Sequence, residues 1–171
     1  MTTPPTPDPA QIELFIFDVD GVLTDGSINI NDDGSETKRF SVRDGYAFRL
    51  WQNAGLKIAI ITGRSGNALL HRMKSLGVDE SLIIQGSRNK SDALDVIIER
   101  TGIDASRIAY MGDDWPDLPA ITRVGFPTCP SDAEPEVRNA CTFIATKPGG
   151  NGAAREAIAH FLCAKGLHSP S

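Results

Sequence analysis

The sequence predicts an α/β fold built on a three-layer, doubly wound parallel sheet. Apolar runs without polar alternation, such as Leu14–Phe17 and residues 58–61, are typical of strands that are covered on both faces. Segments with apolar residues at helical spacing separate these runs along the chain. Strand and helix units of this length imply right-handed crossovers, which place helices on both faces of the sheet.

The amino-terminal part predicts a tail and a hairpin. Residues 1–10 contain four prolines, which indicates a disordered or polyproline-like tail. Residues 27–30 alternate polar and apolar side chains, Asp33-Gly34 is a turn signal, and residues 37–42 can form the returning strand. Residues 26–42 therefore predict a projecting β-hairpin. The folded domain is expected over residues 11–166, followed by a flexible tail at residues 167–171.

The rest of the chain alternates helices and strands. Asp44-Gly45 opens a helix with Leu50 and Trp51 on its buried face, and Gly55 ends it. The other predicted elements are a strand at 57–61, a helix at 66–76, a strand at 82–84, a helix ending at 102, a strand at 107–111, a short helix, a strand at 124–126, a helix at 132–140, a strand at 142–145 and a helix at 152–165.

Charge and hydropathy exclude several classes of protein. The 171 residues carry a net charge of −5, whereas nonspecific nucleic-acid binding needs a basic face. No apolar run reaches the roughly 18–20 residues that span a bilayer. The first residues also lack the basic and apolar regions of a signal peptide. We therefore expect a cytoplasmic protein that binds neither nucleic acid nor membrane.

Acidic residues follow the first predicted strand directly. Asp18 and Asp20 are two residues apart, so in extended geometry both carboxylates lie on the same side. Open parallel sheets place their sites beyond the carboxyl ends of the strands. Further polar or charged residues end other strands or begin the next helix: Thr62, Lys90, Asp113, Asp114 and Asp117.

This charge pattern indicates metal-assisted phosphoryl transfer. Several carboxylates in a small cleft would repel one another unless a hard cation neutralised them, and Mg²⁺ commonly joins one or two carboxylates to a substrate phosphate. A carboxylate can also attack phosphorus to form an aspartyl-phosphate, which divides one difficult step into two easier ones. Lys90 and the metal would then balance charge on the phosphoryl oxygens.

The acidic and polar residues fall in four segments of the chain, which carry Asp18 and Asp20, then Thr62, then Lys90, and then Asp113, Asp114 and Asp117. In this order, the four segments resemble the four motifs of the haloacid dehalogenase superfamily of phosphohydrolases, which have a Rossmann-like fold. The resemblance implies that Asp18 is the nucleophile and that Asp20 protonates the leaving alcohol and then activates water. It implies that Thr62 grips the phosphoryl oxygens together with nearby backbone N–H groups, supported by Gly63, and that Lys90 compensates charge.

For the metal, the resemblance implies ligation by Asp18, by the backbone carbonyl of Asp20 and by Asp113. Asp114 and Asp117 are similar to acidic residues that support the metal through water or orient the lysine. Members of the superfamily usually carry a cap domain, for which this chain has no room. The site would stand open unless a neighbouring subunit covers it.

Longer strings resemble one capless branch, the 3-deoxy-manno-octulosonate 8-phosphate phosphatases. They are DVDGVLTDG at 18–26, RDGY at 43–46, ITGR at 61–64, GDD at 112–114 and GGNGAARE at 149–156. The resemblance implies a homotetramer whose hairpins meet. It also implies hydrolysis of a sugar-acid phosphate in the cytoplasmic synthesis of a lipopolysaccharide sugar. Because that substrate carries a carboxylate, three arginines are candidates for bidentate pairing with it: Arg64 first, and then Arg43 and Arg88.

Several alternatives stay open. A sialic-acid-type nine-carbon 9-phosphate is the alternative substrate, and a noncatalytic phospho-accepting or interaction domain is the alternative class of protein. A receiver domain, however, would need its acceptor at the third strand. Single residues also have plainer interpretations: Thr62 as a helix N-cap, Lys90 as a solvated lysine, Asp117 as a cap of the short helix that follows, and each arginine as part of a surface salt bridge.

Overall fold

A computed structural model describes residues 8–168 and confirms the predicted fold class. Six parallel strands form one sheet in the order β5-β4-β1-β6-β7-β8, and an antiparallel pair, β2 and β3, projects from it as a hairpin. The strands are β1 Leu14–Phe17, β2 Asn29–Ile30, β3 Glu36–Thr37, β4 Lys57–Ile61, β5 Ile83–Ile84, β6 Ile108–Met111, β7 Phe126–Cys129 and β8 Phe143–Ile144.

Helices cover both faces of the sheet. They are α1 Val42–Asn53, α2 Asn67–Ser75, α3 Lys90–Thr101, α4 Leu118–Ile121, α5 Pro135–Ala140 and α6 Ala153–Ala164. Side chains alternate across β1, so Phe15 and Phe17 pack with α1, α2 and α6, whereas Leu14 and Ile16 pack with α3, α4 and α5. Strand β1 pairs with β4 on one side and β6 on the other. Its carboxyl end therefore lies at the centre of the sheet edge.

The hairpin is shorter than predicted. The returning strand comprises only Glu36–Thr37, and α1 begins at Val42 rather than at residue 44. The earlier start has a local cause, because the Ser41 side chain accepts a hydrogen bond from the Asp44 N–H at 3.3 Å and caps the helix. The predicted second strand over residues 37–42 is therefore wrong beyond Thr37.

Strand β7 lies later in the chain than predicted. The sequence pattern places it at residues 124–126, but the strand comprises Phe126–Cys129. Pro127 within it is the reason for the error, since proline normally argues against a strand with neighbours on both sides. Gly125 belongs to the preceding loop, where its N–H donates to the Ala105 carbonyl at 2.7 Å.

The predicted tails lie largely outside the described residues. Of the amino-terminal tail, residues 1–7 are not described, whereas Pro9–Gln11 form a 3-10 helix instead of a disordered segment. The Asp8 side chain caps this helix by accepting from the Ala10 N–H, and Lys165 binds the Ala10 carbonyl at 2.6 Å. Of the carboxyl-terminal tail, only residues 167 and 168 are described. Among residues 8–168, no helix has the length and hydropathy to cross a membrane.

Candidate active site

The sheet brings the predicted catalytic and metal residues into one cleft. Asp18 follows β1, Thr62 follows β4, Lys90 is the first residue of α3, and Asp113 follows β6. The cleft is lined by Asp18, Asp20, Thr62, Lys90, Asp113 and Asp117. Gly63, Arg64 and Asp114 line it as well. Parallel pairing of adjacent strands accounts for this convergence, because their carboxyl ends meet at the same edge.

A buried cation joins two carboxylates at the base of the cleft. Lys90 Nζ lies 3.0 Å from Asp18 Oδ1 and donates a 2.7 Å hydrogen bond to Asp117 Oδ1. The Lys90 side chain is 6% exposed, that of Asp18 is 9% exposed and that of Asp117 is fully buried. Charges this deep are tolerated only when they are paired. Burial by itself would lower the pKa of Lys90, but the charges and hydrogen bonds of Asp18 and Asp117 together raise it.

Asp117 has its acceptor capacity filled by the protein. Besides Lys90, its Oδ1 accepts from the Tyr110 hydroxyl at 2.9 Å, while Oδ2 accepts from the backbone N–H groups of Asp113 and Asp114 at 3.1 and 3.3 Å. Four bonds occupy the lone pairs of a carboxylate. We infer that Asp117 fixes the position of Lys90 and caps the turn after β6.

Asp113 contrasts with Asp117, because one of its oxygens is free. Asp113 Oδ1 is buried and has no hydrogen-bond partner among residues 8–168. Burial, followed by the charges of Asp18 and Asp117, raises the pKa of Asp113 to about 8. Burial and then the Asp117 charge likewise raise the pKa of Asp18 to about 7, although Lys90 acts in the opposite direction. These carboxylates need a further positive charge to be ionised together.

The residues present fit a magnesium ion. Carboxylate oxygens of Asp18, Asp113 and Asp117 lie within 4.8 Å of one another, which is a separation that a single ion can bridge. Because Asp117 is already saturated, the available donors are Asp18 and the free oxygen of Asp113, with the backbone carbonyl of Asp20 as the predicted third. An all-oxygen set with two carboxylates is the donor chemistry that Mg²⁺ prefers.

The turn after Asp20 requires glycine. Gly21 has φ +92°, and a Cβ there would lie 2.0 Å from Asp113 Oδ2. The next residues are braced by the carboxyl-terminal segment, since the Gly150 N–H donates to the Val22 carbonyl at 2.9 Å and a Cβ on Gly149 would lie 1.8 Å from the Gly21 carbonyl oxygen. The string GGNGAARE therefore supports the loop that carries Asp20.

Asp44, in the first turn of α1, connects that helix to the carboxyl-terminal segment 149–156. Its Oδ1 accepts from the Arg155 N–H at 2.9 Å, in the first turn of α6, whose own N-cap is Gly152 without a capping side chain. Asp44 thus caps α6 from 111 residues away in the chain. The sequence placed Asp44 at the start of a helix but gave no sign of its contact with α6, because capping of this kind depends on tertiary packing.

Of the remaining predicted site residues, some line the cleft and others do not. Thr62 is 2% exposed, and its Oγ1 accepts from the Arg64 N–H at 3.3 Å. The Asp114 carboxylate accepts from the Trp115 N–H at 2.7 Å and caps the 3-10 turn Trp115–Asp117. Arg43 and Arg88 are exposed and do not line the cleft, so Arg64 is the predicted arginine that does.

Three residues at the site were missed by sequence reasoning. Lys38 forms an ion pair with Asp20, and Glu36 forms one with Arg64. Both come from the hairpin, whose placement over the cleft has no local signal. Tyr110 did carry a signal, since a buried tyrosine within an apolar strand usually needs a partner for its hydroxyl.

The fold and this site together define a haloacid dehalogenase-like hydrolase, and a family model of that description matches residues 35–125. A 3-deoxy-D-manno-octulosonate 8-phosphate phosphatase, KdsC, of Escherichia coli K12 is 38% identical over 155 residues, which cover 91% of this chain and 81% of the relative. The chain therefore belongs to the 3-deoxy-D-manno-octulosonate 8-phosphate phosphatase family and is a phosphatase.

Solved structures support this assignment. The Moraxella catarrhalis phosphatase, crystallised with a magnesium ion, a phosphate ion and KDO, has a TM-score of 0.89 and 42% identity, covering 93% of this chain and 90% of that one. The cobalt-bound phosphatase of Haemophilus influenzae has a TM-score of 0.89 and 35% identity, covering 93% and 92%.

Proposed function

We propose that this protein hydrolyses 3-deoxy-D-manno-octulosonate 8-phosphate to the free sugar acid and phosphate, with Mg²⁺ as cofactor, in lipopolysaccharide biosynthesis. The observation that carries the proposal is the buried Asp18–Lys90–Asp117 cluster beside the free oxygen of Asp113. It offers a carboxylate nucleophile, a cation beside it and an open metal ligand in one cleft.

In the first half-reaction Asp18 attacks phosphorus. Lys90 holds Oδ1, which leaves Oδ2 to form the new O–P bond while the bond from phosphorus to the sugar oxygen breaks. Asp20 enters this step with a proton on Oδ2 while Lys38 donates to its Oδ1, and it gives that proton to the leaving alkoxide. Lys90 and the Thr62 hydroxyl face the phosphoryl oxygens and stabilise their charge. The bound metal would supply further charge neutralisation at these oxygens.

In the second half-reaction water replaces Asp18. Asp20, now ionised, takes a proton from a water molecule as the water oxygen bonds to phosphorus. The Asp18–phosphorus bond breaks, and phosphate and the original carboxylate are released. Asp117 keeps Lys90 in place through both steps by its 2.7 Å hydrogen bond.

The test is a panel of phosphate esters compared by kcat/KM from phosphate release. We expect the eight-carbon sugar acid 8-phosphate to exceed a nine-carbon sialic-acid-type 9-phosphate and simple hexose phosphates, because Arg64 lines the cleft where a substrate carboxylate could reach it. Activity should vanish with EDTA and return with Mg²⁺. Preference for the nine-carbon ester would contradict the substrate but leave the mechanism intact.

We further propose a cytoplasmic homo-oligomer, a tetramer, whose hairpins pack together. The hairpin exposes Ile28 at 52% and Ile30 at 68%, and near the start of α1 Val42 is 81% and Tyr46 is 55% exposed. Large apolar side chains that are exposed within one short stretch of chain, residues 28–46, favour an interaction surface, and a second copy of the hairpin is the proposed occupant.

Light scattering should give four times the chain mass of 18.4 kDa. Ile30→Asp should dissociate the assembly, whereas Ile144→Asp, at an exposed isoleucine in β8, should not. A stable wild-type monomer would contradict the proposal.

A further inference from the structure

We propose that the Glu36 carboxylate competes with the substrate's carboxylate for the guanidinium of Arg64. Glu36 pairs with Arg64 in the free enzyme, the substrate's carboxylate displaces it on binding, and the Glu36–Arg64 pair forms again when the sugar acid product leaves. This inference rests on the proposed function, since it requires a substrate that carries a carboxylate besides the phosphate. Glu36 is thereby a residue that sets affinity at a subsite and contacts no reacting atom.

Two charged residues at the end of the hairpin contact the cleft: Glu36 in β3 and Lys38, which directly follows β3. Glu36 pairs with Arg64, and Lys38 pairs with Asp20. Both Arg64 and Asp20 line the cleft. This end of the hairpin therefore contacts the cleft at two positions, two residues apart in the chain.

The two ion pairs differ in their exposure to water. The less exposed pair, Lys38–Asp20, can hold the hairpin in place, whereas the more exposed pair, Glu36–Arg64, can exchange partners. The Lys38 and Asp20 side chains are 11% and 20% exposed, so separating them would leave charges in a largely desolvated setting. The Arg64 and Glu36 side chains are 41% and 35% exposed. Ion pairs this open to water contribute little and are replaced readily. Lys38 can thus hold the strand while Glu36 moves away from Arg64.

Replacing the Glu36 carboxylate by the substrate's carboxylate leaves the positive charge of Arg64 paired with one negative charge. When the substrate binds, its carboxylate replaces that of Glu36 on the same guanidinium, and the phosphate is held independently by the groups around Asp18. After hydrolysis the sugar acid has lost its phosphate and keeps only its carboxylate on Arg64. Glu36, tethered two residues from its anchor, then competes at high effective concentration and favours release of the product.

The test is Glu36→Gln, which keeps the shape of the side chain and removes its charge. For the carboxylate-bearing ester preferred in the panel, KM should fall about two- to fivefold, the range expected for an exposed pair, with kcat changed little. Inhibition by the free sugar acid should tighten by the same factor, both in kinetics and in calorimetric binding. For p-nitrophenyl phosphate, which has no carboxylate, KM should be unchanged.

Two further variants make the test specific. Glu13→Gln removes one partner of a similarly exposed ion pair with Arg107, whose side chains are 38% and 47% exposed, and Glu13 does not line the cleft; it should change nothing. In an Arg64→Gln background, Glu36→Gln should have no effect on KM, because the guanidinium for which Glu36 and the substrate compete is absent.

Three outcomes would overturn the inference. A raised KM in Glu36→Gln would mean that Glu36 positions Arg64 for the substrate, and an equal change for both esters would mean a general effect on the cleft. A panel preference for esters without a carboxylate would also overturn it. Failure of the proposed function is distinguishable, because wild type would then not hydrolyse the eight-carbon ester, whatever residue 36 is.

Discussion

Asp18→Asn is expected to lower kcat at least about a thousandfold, because a carboxamide of the same shape cannot form the O–P bond. The variant should fold, since Lys90 keeps its 2.7 Å bond to Asp117. The loss should appear equally with all esters, including p-nitrophenyl phosphate, because every ester needs the same nucleophile.

The measurement is phosphate release at saturating substrate, joined with acid quenching to trap the acyl-phosphate in wild type. Asp25→Asn is the matched control, because Asp25 is an exposed aspartate close in the chain that pairs with Arg39 at 2.8 Å. It should retain activity. Turnover by Asp18→Asn above about a thousandth of wild type, in a preparation free of other phosphatases, would contradict the nucleophile assignment.

The sheet could be predicted from sequence because its strands are specified locally. Strand β1 and residues 58–61 of β4 are uninterrupted apolar runs bounded by charged or turn residues, which indicates strands that are buried on both faces. Strand β7 has no such local signal, since Pro127 interrupts it, and its position depends on pairing with β6 and β8. The hairpin likewise has only two residues in each strand, too few for alternation to define its ends.

The residues of the site also divide into those that a local sequence signal predicts and those that depend on tertiary packing. The convergence of Asp18, Thr62, Lys90 and Asp113 on one cleft could be predicted, because each lies within two residues of a strand end or begins a helix and the topology then brings them together. The contacts of Glu36 and Lys38 could not, because they depend on the angle at which the hairpin leaves the domain.

Lys90→Met is expected to have the second large effect, on both activity and stability. Methionine fills a similar volume but leaves Asp18 and Asp117 buried without their shared cation. Breaking a buried ion pair by removing one partner costs about 3–5 kcal/mol. Activity should fall at least about a hundredfold, because the phosphoryl oxygens lose a fixed positive charge.

The stability loss should depend on pH in a defined direction. In the metal-free wild type, burial raises the pKa of Asp18 to about 7 and that of Asp113 to about 8, above their unfolded value of 3.8. The folded state then binds more protons than the unfolded chain over that range, so stability falls as pH rises from about 4 to about 8. Without Lys90, which lowers the pKa of Asp18, that fall should continue to higher pH.

Urea unfolding of metal-free Lys90→Met at pH 5 and pH 8 tests this. The deficit relative to wild type should be larger at pH 8, where the carboxylates are ionised, and smaller at pH 5, where Asp18 retains its proton. Lys74→Met, at an exposed lysine of α2, should show no deficit at either pH. Equal deficits at the two pH values would show that the aliphatic stem of Lys90 stabilises the fold by packing. In that case the charge of Lys90 would serve catalysis alone, and the cluster would owe its stability to the bonds that Asp117 makes with Tyr110 and the backbone.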